Sequence, residues 1–211
     1  MWLAEVRAKA KRHNQILFSK ESLLLDSLRH LIDQSNRRAL TLWALELAED
    51  TVLQLAERYP EDLRPGEAIA ASRAWAAGEI KMPIAKRAIL NCHAMAKELT
   101  DSADIARCHA VGQACSVVHT AGHALGSLMY DLTAIVLEQG LDNCRDAVER
   151  RVMYYEQRLR YWTEYEKTCQ LNCEVISNQP LPMQWEGFCN ITESVNGYMA
   201  VRHIGIGIIL V

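Results

Sequence analysis

The stretch Asn36-Arg37-Arg38-Ala39-Leu40-Thr41-Leu42-Trp43-Ala44-Leu45-Glu46-Leu47-Ala48-Glu49-Asp50-Thr51-Val52-Leu53-Gln54-Leu55-Ala56-Glu57-Arg58-Tyr59 decides the fold. Leu40, Trp43, Ala44, Leu47, Ala48, Val52 and Leu55 recur at three- and four-residue spacing, which gathers them on one face of a helix. Tyr59-Pro60-Glu61-Asp62 stops the pattern, because proline lacks the N–H and clashes with the preceding turn. The flanking segments repeat it. Ser19 can cap a helix over about 20–32. Pro65 suits the first turn of a helix over about 66–77, with Gly78 just past its end. Pro83 opens another over about 84–99, and Thr100 or Asp101 caps one that reaches about 118. A sixth continues to about 138, where Gln139-Gly140 ends it, and a seventh spans about 142–168. No proline falls between Ile84 and Gln179.

Composition agrees with the pattern. Of the 211 residues 50% are hydrophobic and 7% aromatic, enough to build a core and to exclude wholesale disorder. The chain holds 26 Ala against 2 Phe and 10 Gly, and alanine is the strongest helix former. The expected fold is therefore all-α: a single-domain antiparallel bundle of about six or seven helices over 16–168. Residues 1–15, with Arg7, Lys9, Lys11 and Arg12, form either a basic arm or a short helix. Residues 169–211 change character and read as an irregular or β-prone tail, with Asn196-Gly197 as a hairpin turn signal.

Charge and cysteine usage bound the setting. The net charge of −3 lacks the basic excess of a nucleic-acid binder. No apolar run approaches the roughly 18 residues of a membrane span, and the first residues lack the apolar core of a signal peptide. Seven Cys without a disulfide-scaffold rhythm imply reduced thiols and a cytoplasmic protein. Neither nucleic acid nor membrane is expected as a partner.

One set of motifs resembles a known family. Arg38-Ala39-Leu40, Trp43-Ala44-Leu45-Glu46-Leu47-Ala48-Glu49, Tyr59-Pro60-Glu61-Asp62-Leu63-Arg64-Pro65, Ala68-Ile69 and Ser72-Arg73-Ala74-Trp75-Ala76-Ala77-Gly78-Glu79-Ile80 come first in the chain. Cys92-His93-Ala94-Met95-Ala96 and Val118-His119-Thr120-Ala121-Gly122-His123-Ala124 follow. In order and spacing, over about 36–138, these resemble the bacterial Imm-5-like immunity proteins. The resemblance implies an all-helical protein that neutralises a cognate toxin domain in a polymorphic-toxin system, and it brings no catalytic residues. Cys92, Cys108 and Cys115 depart from the pattern, which has small residues there, and the tail beyond Thr168 matches nothing in it.

Three constellations carry possible chemistry. His119 and His123, spaced i and i+4, share a helix face, and Cys115 and Cys108 extend that face backward. A Zn²⁺ site could draw on His119, His123 and Cys115, with His93 from the preceding helix; Cys108 is too far along the axis to join. The alternative is interior packing, in which small Gly, Ala and Cys residues bring helices together and the histidines hydrogen-bond across them. Second, Arg64 and Arg73, with Glu67 and Glu79, make a corner after Pro60, framed by Pro65, Trp43 and Trp75. It is either a structural ion-pair network or a partner site. Third, Glu46, Glu49, Asp50, Glu57, Glu61 and Asp62 are opposed between positions 46 and 62 by Arg58 alone. They are either a solvated face or a surface for a cationic toxin.

The sequence thus predicts an immunity protein that acts without a cofactor, by stoichiometric protein–protein binding. Two alternatives compete with it. One is a metal-dependent enzyme with His93, His119 and His123 as ligands and Asp131 as base. The other is a helical scaffold that associates with itself, most simply as a homodimer.

Overall fold

A computed structural model describes residues 2–176, with side chains through Thr168. Its elements are α1 (Trp2–Lys11), a 3-10 turn (Leu23–Leu25), α2 (Asp26–Gln34), α3 (Arg37–Arg58), α4 (Arg64–Ala76), α5 (Met82–Met95), α6 (Ser102–Ser116), α7 (His123–Gln139) and α8 (Arg145–Ile176). Every regular element among the described residues is a helix. The architecture is the all-α bundle that the periodicity predicts.

Local chemistry sets the boundaries. The Asn36 side chain accepts from the Ala39 N–H at 2.8 Å and caps α3. Asp101 Oδ1 accepts from the N–H groups of Ala103 and Asp104, both at 2.9 Å, and caps α6. Pro65 and Pro83 occupy the first turns of α4 and α5. Gly140 ends α7 at φ 79°, a left-handed conformation that a Cβ would oppose.

Helix α6 sits at the centre, packed on α7, α3, α5 and α4. Its Ala103, Ala106, Cys108, Ala110, Val111, Gly112, Ala114 and Cys115 are all buried. Small side chains on several sides of one helix let four neighbours approach it closely, which is how an alanine-rich, phenylalanine-poor chain fills its interior. Helix α8 is clamped to α3. Trp43, fully buried, donates from Nε1 to the Tyr155 carbonyl at 3.0 Å. Arg158 pairs with Glu46 at 2.7 Å and Arg151 with Asp50 at 3.0 Å, while Arg38 pairs with the buried Glu166 at 3.1 Å.

The structure decides one open alternative and departs from the sequence expectations in three places. Of the two readings of the N-terminal segment, the short helix is the one observed. Val6 is fully buried, Trp2 stacks on Phe18 with centroids 5.9 Å apart, and Trp2 Nε1 donates to Glu149 at 3.1 Å. Ser19 does not cap a helix, because its N–H and hydroxyl both donate to Glu5; α2 starts only at Asp26. Helix α8 runs past Thr168 to Ile176, into the stretch expected to be irregular. The hairpin signal at Asn196-Gly197 lies outside the described residues. Finally, α6 ends at Ser116 and α7 begins at His123, so no single helix carries Cys115, His119 and His123. β-branched Val117, Val118 and Thr120 together with Gly122 weaken helix continuation there. Arg37 donates to the Val118 carbonyl at 2.7 Å and holds the turn.

Candidate functional site

The histidines do meet, by a different route. His93 on α5 and His109 on α6 face each other with their Nδ1 atoms 3.0 Å apart. One nitrogen must donate and the other accept, so the pair cannot carry a proton on both facing nitrogens. Burial, then the neighbouring His109 and His123, push His93 down to about 4. His109 is also lowered by burial, and its ring lies 5.0 Å from that of Tyr130. The His93 ring rests on Gly112: a Cβ there would lie 2.5 Å from two of its atoms. Gly126 plays the same part for Gln113, whose Oε1 accepts from His123 Nδ1 at 2.7 Å. His119 and His123 lie 5.7 Å apart between centroids, and His119 Nδ1 is buried without a hydrogen-bond partner.

These rings form a packed cluster. Cys115 is not part of it: the Cys115 carbonyl accepts from the Ser72 hydroxyl of α4 at 3.5 Å, and its buried thiol is pushed up to about 12. Burial likewise pushes Cys108 up to about 12 and raises Cys92. Such thiols are protonated at neutral pH. Among the described residues, no group of three or more His, Cys, Asp or Glu side chains is placed to hold a metal ion. Asp131, the base of the enzyme alternative, instead accepts from Arg151 Nε at 2.9 Å and from the Tyr155 hydroxyl.

The corner after Pro60 is an ion-pair network. Arg64 forks onto Asp62 (Nε, 2.9 Å) and onto Glu98 (Nη1, 2.8 Å; Nη2, 2.6 Å), tying the α3–α4 turn to the end of α5. Both carboxyls are lowered by hydrogen bonding to this guanidinium. Pro65 is buried beneath the corner and Trp75 is half-buried beside the core, while Glu67 and Glu79 point to solvent. Tyr59, Pro60, Leu63, Arg64 and Glu67 line only a shallow, open depression.

The acidic run is largely compensated from elsewhere in the chain. Glu46 is held by Arg158 and Trp162, Glu49 by Arg73, Asp50 by Arg151 and Asp62 by Arg64. Only Glu57 and Glu61 of the run are exposed without an ion pair among the described residues. Arg64 lies just past the run, and the other compensating cations, Arg73, Arg151 and Arg158, lie further off in the chain.

A further network escaped the sequence reading. Asp104 and Arg107, 1% and 3% exposed, pair at 2.8 Å inside the bundle. Arg58 joins Asp104 at 3.1 Å and Glu138 at 2.7 Å; Arg107 reaches Glu138 at 2.6 Å; the Tyr59 hydroxyl donates to Asp104 at 2.9 Å. The Asp-x-x-Arg spacing at 104–107 was the available signal.

Fold and site together define an all-α protein whose polar clusters are tied into its own packing. The chain belongs to the Imm-5 like putative immunity protein family, whose model matches residues 30–158. No curated protein and no solved structure matches the chain. No described helix is long and apolar enough to cross a membrane.

Proposed function

We propose that this protein is an immunity protein that neutralises a cognate toxin domain by stoichiometric binding, without a cofactor. Membership of the immunity-protein family over residues 30–158 carries this reading. The structure supports it physically. A body cross-tied by Trp43–Tyr155, Arg151–Asp50 and Arg158–Glu46 presents preformed helix faces. Preformed faces lose little conformational freedom on binding, which favours affinity. A standard interface of about 1,600 Å² in total fits on one or two such faces.

The test is co-expression with the toxin domain encoded beside this protein's gene. Growth should be rescued, and the two chains should co-elute as a complex of defined stoichiometry. A toxin that kills equally with and without this protein, and no complex, would refute the proposal.

A further inference from the structure

Helix α5 carries an uncompensated charge. Between Ile80 and Lys97 the chain has Lys81, Lys86, Arg87 and Lys97 and no acidic residue. All four cations are exposed, and none has an ion pair among the described residues. By contrast, Arg58, Arg64, Arg73, Arg107, Arg151 and Arg158 each meet a carboxylate. The cations also stand where the fold gains nothing from them. Lys81 is the N-cap of α5 and makes no side-chain cap, and the first turn holds no acid. The helix dipole is positive at that end and favours anions.

Two large apolar side chains share the surface. Ile84 is 56% and Leu90 55% exposed. At 100° per residue, Lys86, Leu90, Arg87 and Ile84 fall on one outward arc, opposite the buried Ala85, Ile89 and Cys92. Lys86 and Arg37 both act on His119, so the positive surface continues from α5 to the start of α3. Apolar anchors ringed by unpaired cations have the make-up of a protein interface built for an acidic partner.

We propose that this α5 face is where the toxin docks, and that the toxin presents a carboxylate-rich surface around an apolar patch. The inference rests on the immunity reading. A folded protein fits better than the other polyanions. The outward arc has no aromatic residue to stack on bases, and the chain as a whole is negative. A membrane-surface helix needs a broad apolar face, and that of α5 is already buried against α4 and α6.

The test measures binding of the full chain to the toxin domain encoded beside it, by surface plasmon resonance at low and high salt. Lys86→Glu with Arg87→Glu should raise Kd about tenfold or more, chiefly by slowing association, and should flatten its salt dependence. Leu90→Ala should speed dissociation instead. Reversing two exposed cations elsewhere, Lys11→Glu with Lys20→Glu, should change Kd less than about threefold. Thermal unfolding checks that each variant is folded. If wild type binds and the α5 reversal has no effect, the α5 proposal falls while the immunity reading stands. The same holds if Glu57→Lys with Glu61→Lys abolishes binding and the α5 variants do not. If wild type does not bind the toxin, both fall. Wild-type binding to phosphatidylserine vesicles or to a short DNA duplex, lost on α5 reversal while toxin binding persists, would assign the face to that polyanion and overturn the proposal.

Discussion

Gly112→Ala is a sharp test of how α5 and α6 pack. Alanine in a helix interior normally gains about 1 kcal/mol over glycine. At this position the new Cβ would lie 2.5 Å from Cε1 and Nε2 of His93 and 2.8 Å from Cδ2. Ordinary carbon contacts are about 3.5–4.0 Å, so the imidazole must retreat by roughly 1 Å. The ring is not a loose chain end: its Nδ1 is hydrogen-bonded to His109 at 3.0 Å. Overpacking of this kind costs about 1–3 kcal/mol, and losing the hydrogen bond costs about 1 more. The net loss is about 1–3 kcal/mol, a fall in Tm of roughly 2–12 °C for a chain of this size. Gly66→Ala is the control, since nothing lies within 4 Å of its Cβ position. It should hold or raise Tm by a few degrees. In a His93→Ala background the clash is absent, so Gly112→Ala should become neutral or stabilising, a coupling of at least about 1 kcal/mol. Circular dichroism at 222 nm reads all five proteins, wild type included. A Gly112→Ala protein as stable as wild type, with no coupling to His93, would refute the geometry.

Three further outcomes follow from the electrostatics. Asp104→Ala should cost about 3–5 kcal/mol in chemical denaturation, because it takes from the buried Arg107 its one buried anion and from Arg58 and Tyr59 their shared acceptor; Glu149→Ala, which breaks an exposed pair with Arg145 and frees Trp2 Nε1, should cost about 1 kcal/mol. Glu46→Ala should lower Tm measurably, since Glu46 holds both Arg158 and Trp162, whereas Glu57→Ala and Glu61→Ala should stay within about 0.5 kcal/mol of wild type. Stability should rise with pH between about 4 and 6.5. In that window the unfolded chain protonates His93 and the folded chain, with His93 lowered to about 4, does not. The slope from this one group is at most about 1.4 kcal/mol per pH unit. Denaturation of His93→Gln across the same pH range should show a shallower slope, and an unchanged slope would contradict the assignment.

The helices were legible because their signals are local. Asp101 caps as read, Pro65 and Pro83 open helices, and the three- and four-residue spacing around Trp43 marks the buried face of α3. What misled was also local. Ser19 looks like a cap until Glu5, fourteen residues earlier, takes its N–H and hydroxyl. His119-x-x-x-His123 looks like one helix face until the chain turns between α6 and α7. Asp104 and Arg107 drew no reading, although their i, i+3 spacing was there to see. Their burial comes from Arg58 and Glu138, which no spacing rule connects to them. His109 was passed over because it sits alone in sequence, and only the packing of α5 on α6 brings it to His93. The acidic run misread its own surroundings for the same reason: its neutralising cations come from α4 and α8.

That redistribution of charge bears on where binding and stability reside. A carboxylate already holding a guanidinium must give up that contact, or share it, before it can attract a partner's cation. Glu46, Glu49 and Asp50 therefore contribute more to joining α3 to α4 and α8 than to any long-range field. The α5 cations are the reverse case. They make no ion pair among the described residues, Lys81 stands at the helix end that disfavours a cation, and their charge extends into solvent. Removing a paired charge should thus show up in unfolding, and removing an unpaired one in association rate. The two classes of residue separate along the chain, so the two effects should be separable by mutation. A double reversal at Lys86 and Arg87 that leaves Tm in place while slowing association, set beside a Glu46 variant that lowers Tm while leaving association intact, is the pattern this division of charge requires.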